Sequence, residues 1–207
     1  MKKFKFFINF AKEERWLETM AENGWQLKSA VFCYDFYSAP SEQAAIRIDC
    51  RTFKNNQDFL DYCALFEDSG WKHIAGSKHS GNQYFKKISE DSNDDIFSDS
   101  VSRAGRYKRL SNMWGLISVI YWLPILVELL SSGGVNLNGI SNPKSLYYTP
   151  GLWEMSGFEF WGKFLFETPF AFFRGYWWIS FLVMIGFYIF FFIKSRRLYN
   201  SALNNKS

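Results

Sequence analysis

Two uninterrupted apolar runs set the terms for everything else in this chain. Met113–Leu130 reads MWGLISVIYWLPILVELL, with one acid, Glu128, near its end and one proline, Pro124. Tyr176–Ile193 reads YWWISFLVMIGFYIFFFI and carries no charge. Each run has 18 residues, which at helical rise covers roughly 27 Å, close to the ~30 Å hydrocarbon core of a bilayer. Trp114, Tyr121, Trp122, Trp177 and Trp178 lie toward the flanks, where aromatic side chains favour the membrane–water boundary. A single run of this kind could be the core helix of a soluble protein. Two of them point to transmembrane helices, which we place at 111–130 and 176–193.

The charges divide accordingly. Up to Leu110 there are 17 Lys and Arg against 16 Asp and Glu; from Ser111 onward there are 7 and 4. The first part can fold in water and the second needs a less polar solvent. A near-neutral first part also argues against nucleic acid, because phosphate neutralisation demands a clear basic excess. Cations flank the spans unevenly. Arg103, Arg106, Lys108 and Arg109 precede the first; Lys194, Arg196 and Arg197 follow the second; the longer segment between them has only Lys144, Lys163 and Arg174. Because positive residues stay inside, both termini are expected to be cytoplasmic. The seven flanking cations are also expected to meet lipid headgroups.

Between the spans, 131–175 forms the expected extracytoplasmic loop. Ser131–Pro150 is rich in Gly, Asn, Ser and Pro and reads as irregular. Gly157–Glu167 places Glu159, Lys163 and Glu167 on one line, with Phe158, Trp161, Phe164 and Leu165 around them. That pattern suits an interfacial helix closed by Pro169; a loop packed on the spans is the competing reading. Glu128 is expected to be an interfacial residue, and two spans without interior charge cannot alone line a polar pathway.

The first 88 residues read as a small α+β domain. Lys2–Phe10 alternates apolar and polar residues like a strand. Ala11–Asn23 is predicted helical, with Trp16, Leu17, Met20 and Ala21 on one face and Gly24 as its stop. Strands are predicted over Trp25–Tyr37 and Ala44–Phe53, a helix over Gln57–Ser69, and strands over Trp71–Ala75 and Gln83–Ile88. A helix ending in Gly-Trp occurs at Gly24-Trp25 and again at Gly70-Trp71, a weak internal repeat. The order β-α-β-β-α-β, with a hairpin as the other reading of the last strand, is that of a ferredoxin-like sandwich, whose sheet has one face free of helices. In the predicted registers Lys5, Phe7, Asn9, Arg47, Asp49 and Arg51 project there as a partner-binding face, and a one-residue slip would reverse them. The paired aromatics of an RNA-recognition sheet are missing. Residues 89–110 form the linker: Ser89–Gly105 is rich in Ser, Asp and Asn and reads as solvated, with Ile96-Phe97 as an odd apolar island that could dock on the domain or on another protein.

Signs of chemistry are absent. His73 and His79 are not near paired Cys or acids at metal-ligand spacing, and no phosphate loop, GxSxG elbow or HExxH occurs. Glu13 and Glu14 begin a helix, where acids suit the dipole. Cys33, Cys50 and Cys63 form no CxxC pair and read as reduced core thiols. Trp25 and Trp71 read as core anchors. The N-terminus MKKFKFFINFAKEER lacks the h-region and cleavage site of a signal peptide. No cofactor or metal is expected.

The residues Phe6-Phe7, Glu13-Glu14-x-Trp16-Leu17, Met20-Ala21, Gly24-Trp25-x-Leu27, Tyr34-x-Phe36, Ile48-Asp49, Glu67-Asp68-x-Gly70-Trp71, Tyr84-Phe85-x-Lys87 and Ile96-Phe97-Ser98-Asp99 resemble the bacterial family called domain of unknown function 2812, over about residues 3–102. The resemblance implies C-terminal membrane spans, mostly Gram-positive bacterial sources and genes often beside PadR-type regulators. It supplies no catalytic residues. The expected function is that of a non-catalytic, membrane-anchored regulatory or adaptor protein, with membrane lipids and a protein partner or a second copy as its partners. The alternative is an accessory or immunity subunit of a membrane transporter or membrane-active peptide system, acting through the spans and the outer aromatic helix.

Overall fold

The computed structural model describes residues 1–131 and 138–204, and the side chains of these apart from 138 and 139. The part of the Ser131–Pro150 segment at 132–137 lies outside the described residues. The chain divides into two compact units, Met1–Met113 with Phe191–Ser207, and Trp114–Phe190.

In the first unit the elements run β1 (Lys2–Lys3), α1 (Phe10–Glu22), β2 (Trp25–Ala30), β3 (Tyr34–Ser38), β4 (Ile46–Cys50), α2 (Asn56–Asp68), β5 (Trp71–Ala75) and β6 (Asn82–Lys87). This is a β-α-β-β unit used twice. α1 and α2 begin 46 residues apart and end 46 residues apart, as do the starts of β2 and β5. The strands form two antiparallel three-stranded sheets of matching order, β1-β3-β2 and β4-β6-β5, with β2 and β5 neighbours. Even the irregularities recur: the β2–β3 register shifts between Leu27 and Ser29, and the β5–β6 register shifts between His73 and Ala75. The α+β class is therefore as expected. The segment expected as one strand from Trp25 to Tyr37 is instead a hairpin, because three residues of bend at 31–33 fold β3 back on β2.

Local signals explain the helix ends. Asn9, expected in a strand, takes extended backbone at the N-cap of α1, and its side chain accepts from the Lys12 amide at 3.3 Å. That satisfies one of the amides the first turn leaves open. Only Lys2–Lys3 of the expected strand 2–10 is paired. Gly24 and Gly70 follow the two helices at φ +78° and +80°, the left-handed conformation that ends a helix and that a side chain disfavours. Each delivers a tryptophan into a strand; Trp71 is fully buried, whereas Trp25 is only half-buried. The core gathers Phe10, Leu17 and Met20 of α1, Ile46 and Ile48 of β4, and a cluster of Tyr62, Trp71 and Phe85.

The segment 89–99 is held down. Ile96 packs on the Tyr62–Trp71–Phe85 cluster. Asp94 pairs with Lys87 at 2.9 Å, and Asp95 pairs with Arg103 and reaches Arg47 at 4.0 Å. The acids that made this stretch read as solvated serve the domain's own cations. At Ser100 the chain enters α3 (Ser100–Leu130), one helix of 31 residues with Pro124 inside it.

The short helix α4 (Asn138–Ser141) and 3-10 turns at Pro143–Leu146 and Leu152–Glu154 follow. α5 (Gly157–Asn204) is then a single helix of 48 residues. Pro169, expected to close an interfacial helix, stands inside it; a proline removes one donor from one turn, a loss that long apolar helices tolerate. α3 and α5 each contain an 18-residue window of high hydropathy of which 11% is buried. Such helices are long and apolar enough to cross a membrane, and too exposed to be the core of a soluble domain. In the second unit they pack through aromatic rings: Tyr121 lies 5.0 Å from Tyr188 and 5.9 Å from Phe181, centroid to centroid.

Candidate functional site

β4 is an edge strand. Arg47 and Asp49 alternate with Ile46, Ile48 and Cys50 in its pairing with β6, so the latter three turn their backbone groups away from the sheet. An edge of this kind normally invites another strand. Here side chains take the place of that strand. Glu18 Oε1 accepts from the Ile46 amide at 3.1 Å, and Glu14 Oε1 accepts from the Ile48 amide at 3.0 Å. Arg106 donates to the Ile48 carbonyl at 2.7 Å, and Arg109 donates to the Cys50 carbonyl.

The spacing makes this possible. Residues four apart on a helix are about 6 Å apart along its axis, and residues two apart on a strand span about 6.6 Å. Glu14 and Glu18 on α1 therefore match Ile48 and Ile46 on an adjacent strand. Arg106 and Arg109, three apart on α3, present two guanidinium groups along the same edge.

The edge also joins the charges. Arg106 Nη1 pairs with Glu14, and Arg109 pairs with Asp49. Asp49 accepts from the Tyr62 hydroxyl at 2.8 Å and from the Cys50 amide at 2.8 Å. The Arg106 guanidinium lies 5.2 to 5.3 Å from the Phe10, Phe97 and Tyr107 ring centroids, so it is enclosed by aromatic faces as well as paired. Burial raises the Cys50 thiol to about 11, with the Asp49 charge adding to it.

Beside this clamp is a second acidic centre. Glu13 Oε1 accepts from Tyr34 at 2.7 Å and from Tyr84 at 2.8 Å, and all three residues are buried. Burial raises the Glu13 carboxyl above its ordinary range, against the two phenols that hold it down. Both phenols are raised as well, chiefly by burial and then by the facing carboxylate. Glu13 and the two tyrosines form the inner wall of a cavity of about 200 Å³ whose outer wall includes Phe4, Phe6 and Phe32.

The residues expected to form one partner-binding face are dispersed. Lys5 is exposed and sits 5.0 and 4.9 Å from the Phe7 and Trp16 rings. Asn9 caps α1 and accepts from the Tyr107 hydroxyl at 3.2 Å. Arg47 pairs with Glu18 at 2.8 Å. Asp49 is buried, so its side chain leaves no free face for a partner. Arg51 lies over Phe53 and Tyr62, at 5.7 and 5.4 Å.

The expected headgroup cluster is corrected more sharply. Arg106 is 3% exposed and belongs to the domain interior. Arg109 is committed to Asp49 and Cys50, and Arg103 to Asp95. Of these four, Lys108 is exposed without such a commitment. Lys194, Arg196 and Arg197 on α5 are exposed.

On α5, Phe158, Trp161 and Leu165 are exposed, while Phe164 stacks 5.3 Å from Tyr147. Lys163 pairs with Glu159 at 2.8 Å, but Glu167 is buried and accepts from the amides of Tyr148 and Thr149. It holds the preceding segment rather than continuing a polar stripe.

Sequence reasoning missed the clamp because it judged each charge against its neighbours in the chain. The i,i+4 pair Glu14/Glu18 and the i,i+3 pair Arg106/Arg109 were visible as spacings; their common target on β4 was not. His73 is half-buried with Nε2 3.0 Å from Gln83 Oε1, and burial lowers its pKa. Among the described residues no group of three or more His, Cys, Asp and Glu could hold a metal ion.

A family model described as "Protein of unknown function (DUF2812)" matches residues 9–119. That range takes in Arg106 and Arg109, past the end near 102 expected from the resemblance. No curated protein and no solved structure matches the chain significantly.

Proposed function

The chain belongs to the DUF2812 family of proteins of unknown function, and on that premise we propose that it is a membrane-anchored regulatory or adaptor protein whose N-terminal domain binds a protein partner in the cytoplasm without catalysing a reaction. The observation that carries this reading is the clamp on β4. The helix that continues into the first apolar run supplies two cations that the domain itself uses, Arg106 buried on Glu14 and Arg109 paired with the buried Asp49. A domain built around the root of its anchor is a domain whose position at the membrane matters.

Non-catalytic use fits the occupancy of its acids. Glu13, Glu14 and Asp49 are each taken up by internal donors. The partner surface we favour lies on the second repeat, where Arg51, Phe53 and Lys54 face Asp58, Asp61 and Leu65 of α2 across an open groove. Leu65 is exposed there, and charges of both signs surround it, as at the polar rim of a protein interface. Affinity capture with the full chain in detergent tests the reading. Leu65→Glu and Arg51→Glu should each remove the same captured protein while the circular dichroism stays unchanged. Capture that is indifferent to both substitutions would refute the assignment.

The alternative, an accessory or immunity subunit acting in the membrane, is favoured by the exposed Phe158, Trp161, Leu165 and Phe166 at the start of α5. Deleting Gly157–Glu167 separates the two readings. Loss of biological activity with partner capture intact supports the alternative; loss of neither supports the adaptor.

A further inference from the structure

The N-terminal segment and the β2–β3 turn carry large apolar side chains that the domain does not cover. Phe4 is 86% exposed, Phe32 91%, Val31 74% and Phe6 59%. They are one patch, since Phe4, Phe6, Val31 and Phe32 line the same cavity, and β1 pairs with β3 beyond the turn. Lys2, Lys3 and Lys5, all exposed, are interleaved with the phenylalanines. Asp35, opposite Lys2 on β3, is 4.0 Å from the N-terminal ammonium. A soluble surface seldom presents such a patch unless something apolar meets it.

The position of the patch identifies what meets it. Phe6 packs edge-on against Phe191, with ring centroids 5.5 Å apart. Phe191 stands two residues before the end of the apolar run 176–193, and Lys194, Arg196 and Arg197 follow that end. In a helix that crosses a bilayer, that is the level at which hydrocarbon gives way to headgroups. Phe6 therefore shares the level of Phe191, which on the membrane-anchored reading is the level of that boundary.

We propose that Lys2–Phe6 and the Val31-Phe32 turn enter the anionic leaflet, with the phenylalanines and Val31 in the acyl boundary and the three lysines among the headgroup phosphates. Apolar side chains inserted to a shallow depth and flanked by cations are the usual interfacial combination. The patch gives the domain a second, reversible attachment that fixes this face toward the lipid. The inference rests on the membrane-anchored part of the proposed function and not on its partner.

The test uses the full chain reconstituted in mixed phosphatidylcholine–phosphatidylglycerol vesicles, with the photo-cross-linking residue benzoylphenylalanine replacing Phe4, Phe32 or, as a control on α2, Leu65. Mass spectrometry should find acyl-chain adducts at positions 4 and 32 and none at 65. Lys2→Gln, Lys3→Gln and Lys5→Gln together should lower the adduct yield at position 32; an unchanged yield overturns the headgroup assignment. Adducts to a second copy of the chain, or no lipid adduct from a chain that floats with the vesicles, overturn the proposal while the anchor stands. A chain that does not float overturns the anchoring reading itself.

Discussion

Arg106 and Glu14 stand 92 residues apart in the chain and meet as a buried ion pair that also closes the outer edge of β4. Nη1 of the arginine serves both the carboxylate and the Ile48 carbonyl, and the same carboxylate oxygen takes the Ile48 amide. One side chain from each of two distant helices thus completes a single residue of strand backbone.

Removing one partner leaves the other charged and buried. Arg106→Met should destabilise the protein by about 3–5 kcal/mol, the range found when a buried pair is broken from one side. Adding Glu14→Met should recover a large part of that loss, because the orphaned charge goes with it. Thermal unfolding in detergent measures both. An unchanged midpoint for Arg106→Met would return Arg106 to the lipid surface.

Glu13 sets a pH dependence. Its folded carboxyl keeps its proton above the ordinary value of 4.5 because burial penalises the charge. From 4.5 up to the raised folded value the native state binds more protons than the unfolded one, so stability falls as pH rises through that window. Below 4.5 both states are protonated and the contribution is constant. Glu13→Gln should therefore flatten the unfolding midpoint against pH above pH 4.5 relative to the parent. Parallel curves for the two proteins would contradict the assignment.

Gly70 and Gly81 separate backbone strain from crowding. Both have positive φ, +80° and +78°, but a Cβ on Gly70 would come within 2.8 Å of Ser92 Cβ and one on Gly81 meets nothing within 4 Å. Gly81→Ala should cost about 1–2 kcal/mol for the left-handed backbone alone. Gly70→Ala should cost clearly more, because it also pushes on the segment that carries Ile96 onto the core. Equal midpoints for the two variants would show that the 89–99 segment yields freely.

The fragment 1–102 ends before Arg106 and Arg109, whereas 1–113 contains both. The shorter one exposes the Ile48 and Cys50 carbonyls and removes the ion-pair partners of Glu14 and Asp49. We expect 1–102 to aggregate and 1–113 to stay monomeric by size-exclusion chromatography in the same buffer. Identical elution would mean that the clamp is dispensable for folding.

Much of the plan follows from sequence alone, because local rules determine it. Eighteen apolar residues without charge need a bilayer or a core wherever they occur, and Gly24 and Gly70 stop their helices because of their own backbone freedom. The period between the two Gly-Trp pairs marks the β-α-β-β repeat even though the hairpin within Trp25–Tyr37 is easily missed. What Arg106, Arg109, Glu14 and Asp49 do was decided only in three dimensions. A charge near a membrane helix reads as a lipid contact, and an acid in the first turn reads as a dipole partner, until the fold brings both to one strand edge. The reason is that the energy of an ion pair depends on separation and burial, which the chain sets through contacts across some 60 to 90 residues. The two apolar runs themselves were legible from the start. Only the tertiary structure shows that the helix carrying the first begins as part of the N-terminal domain.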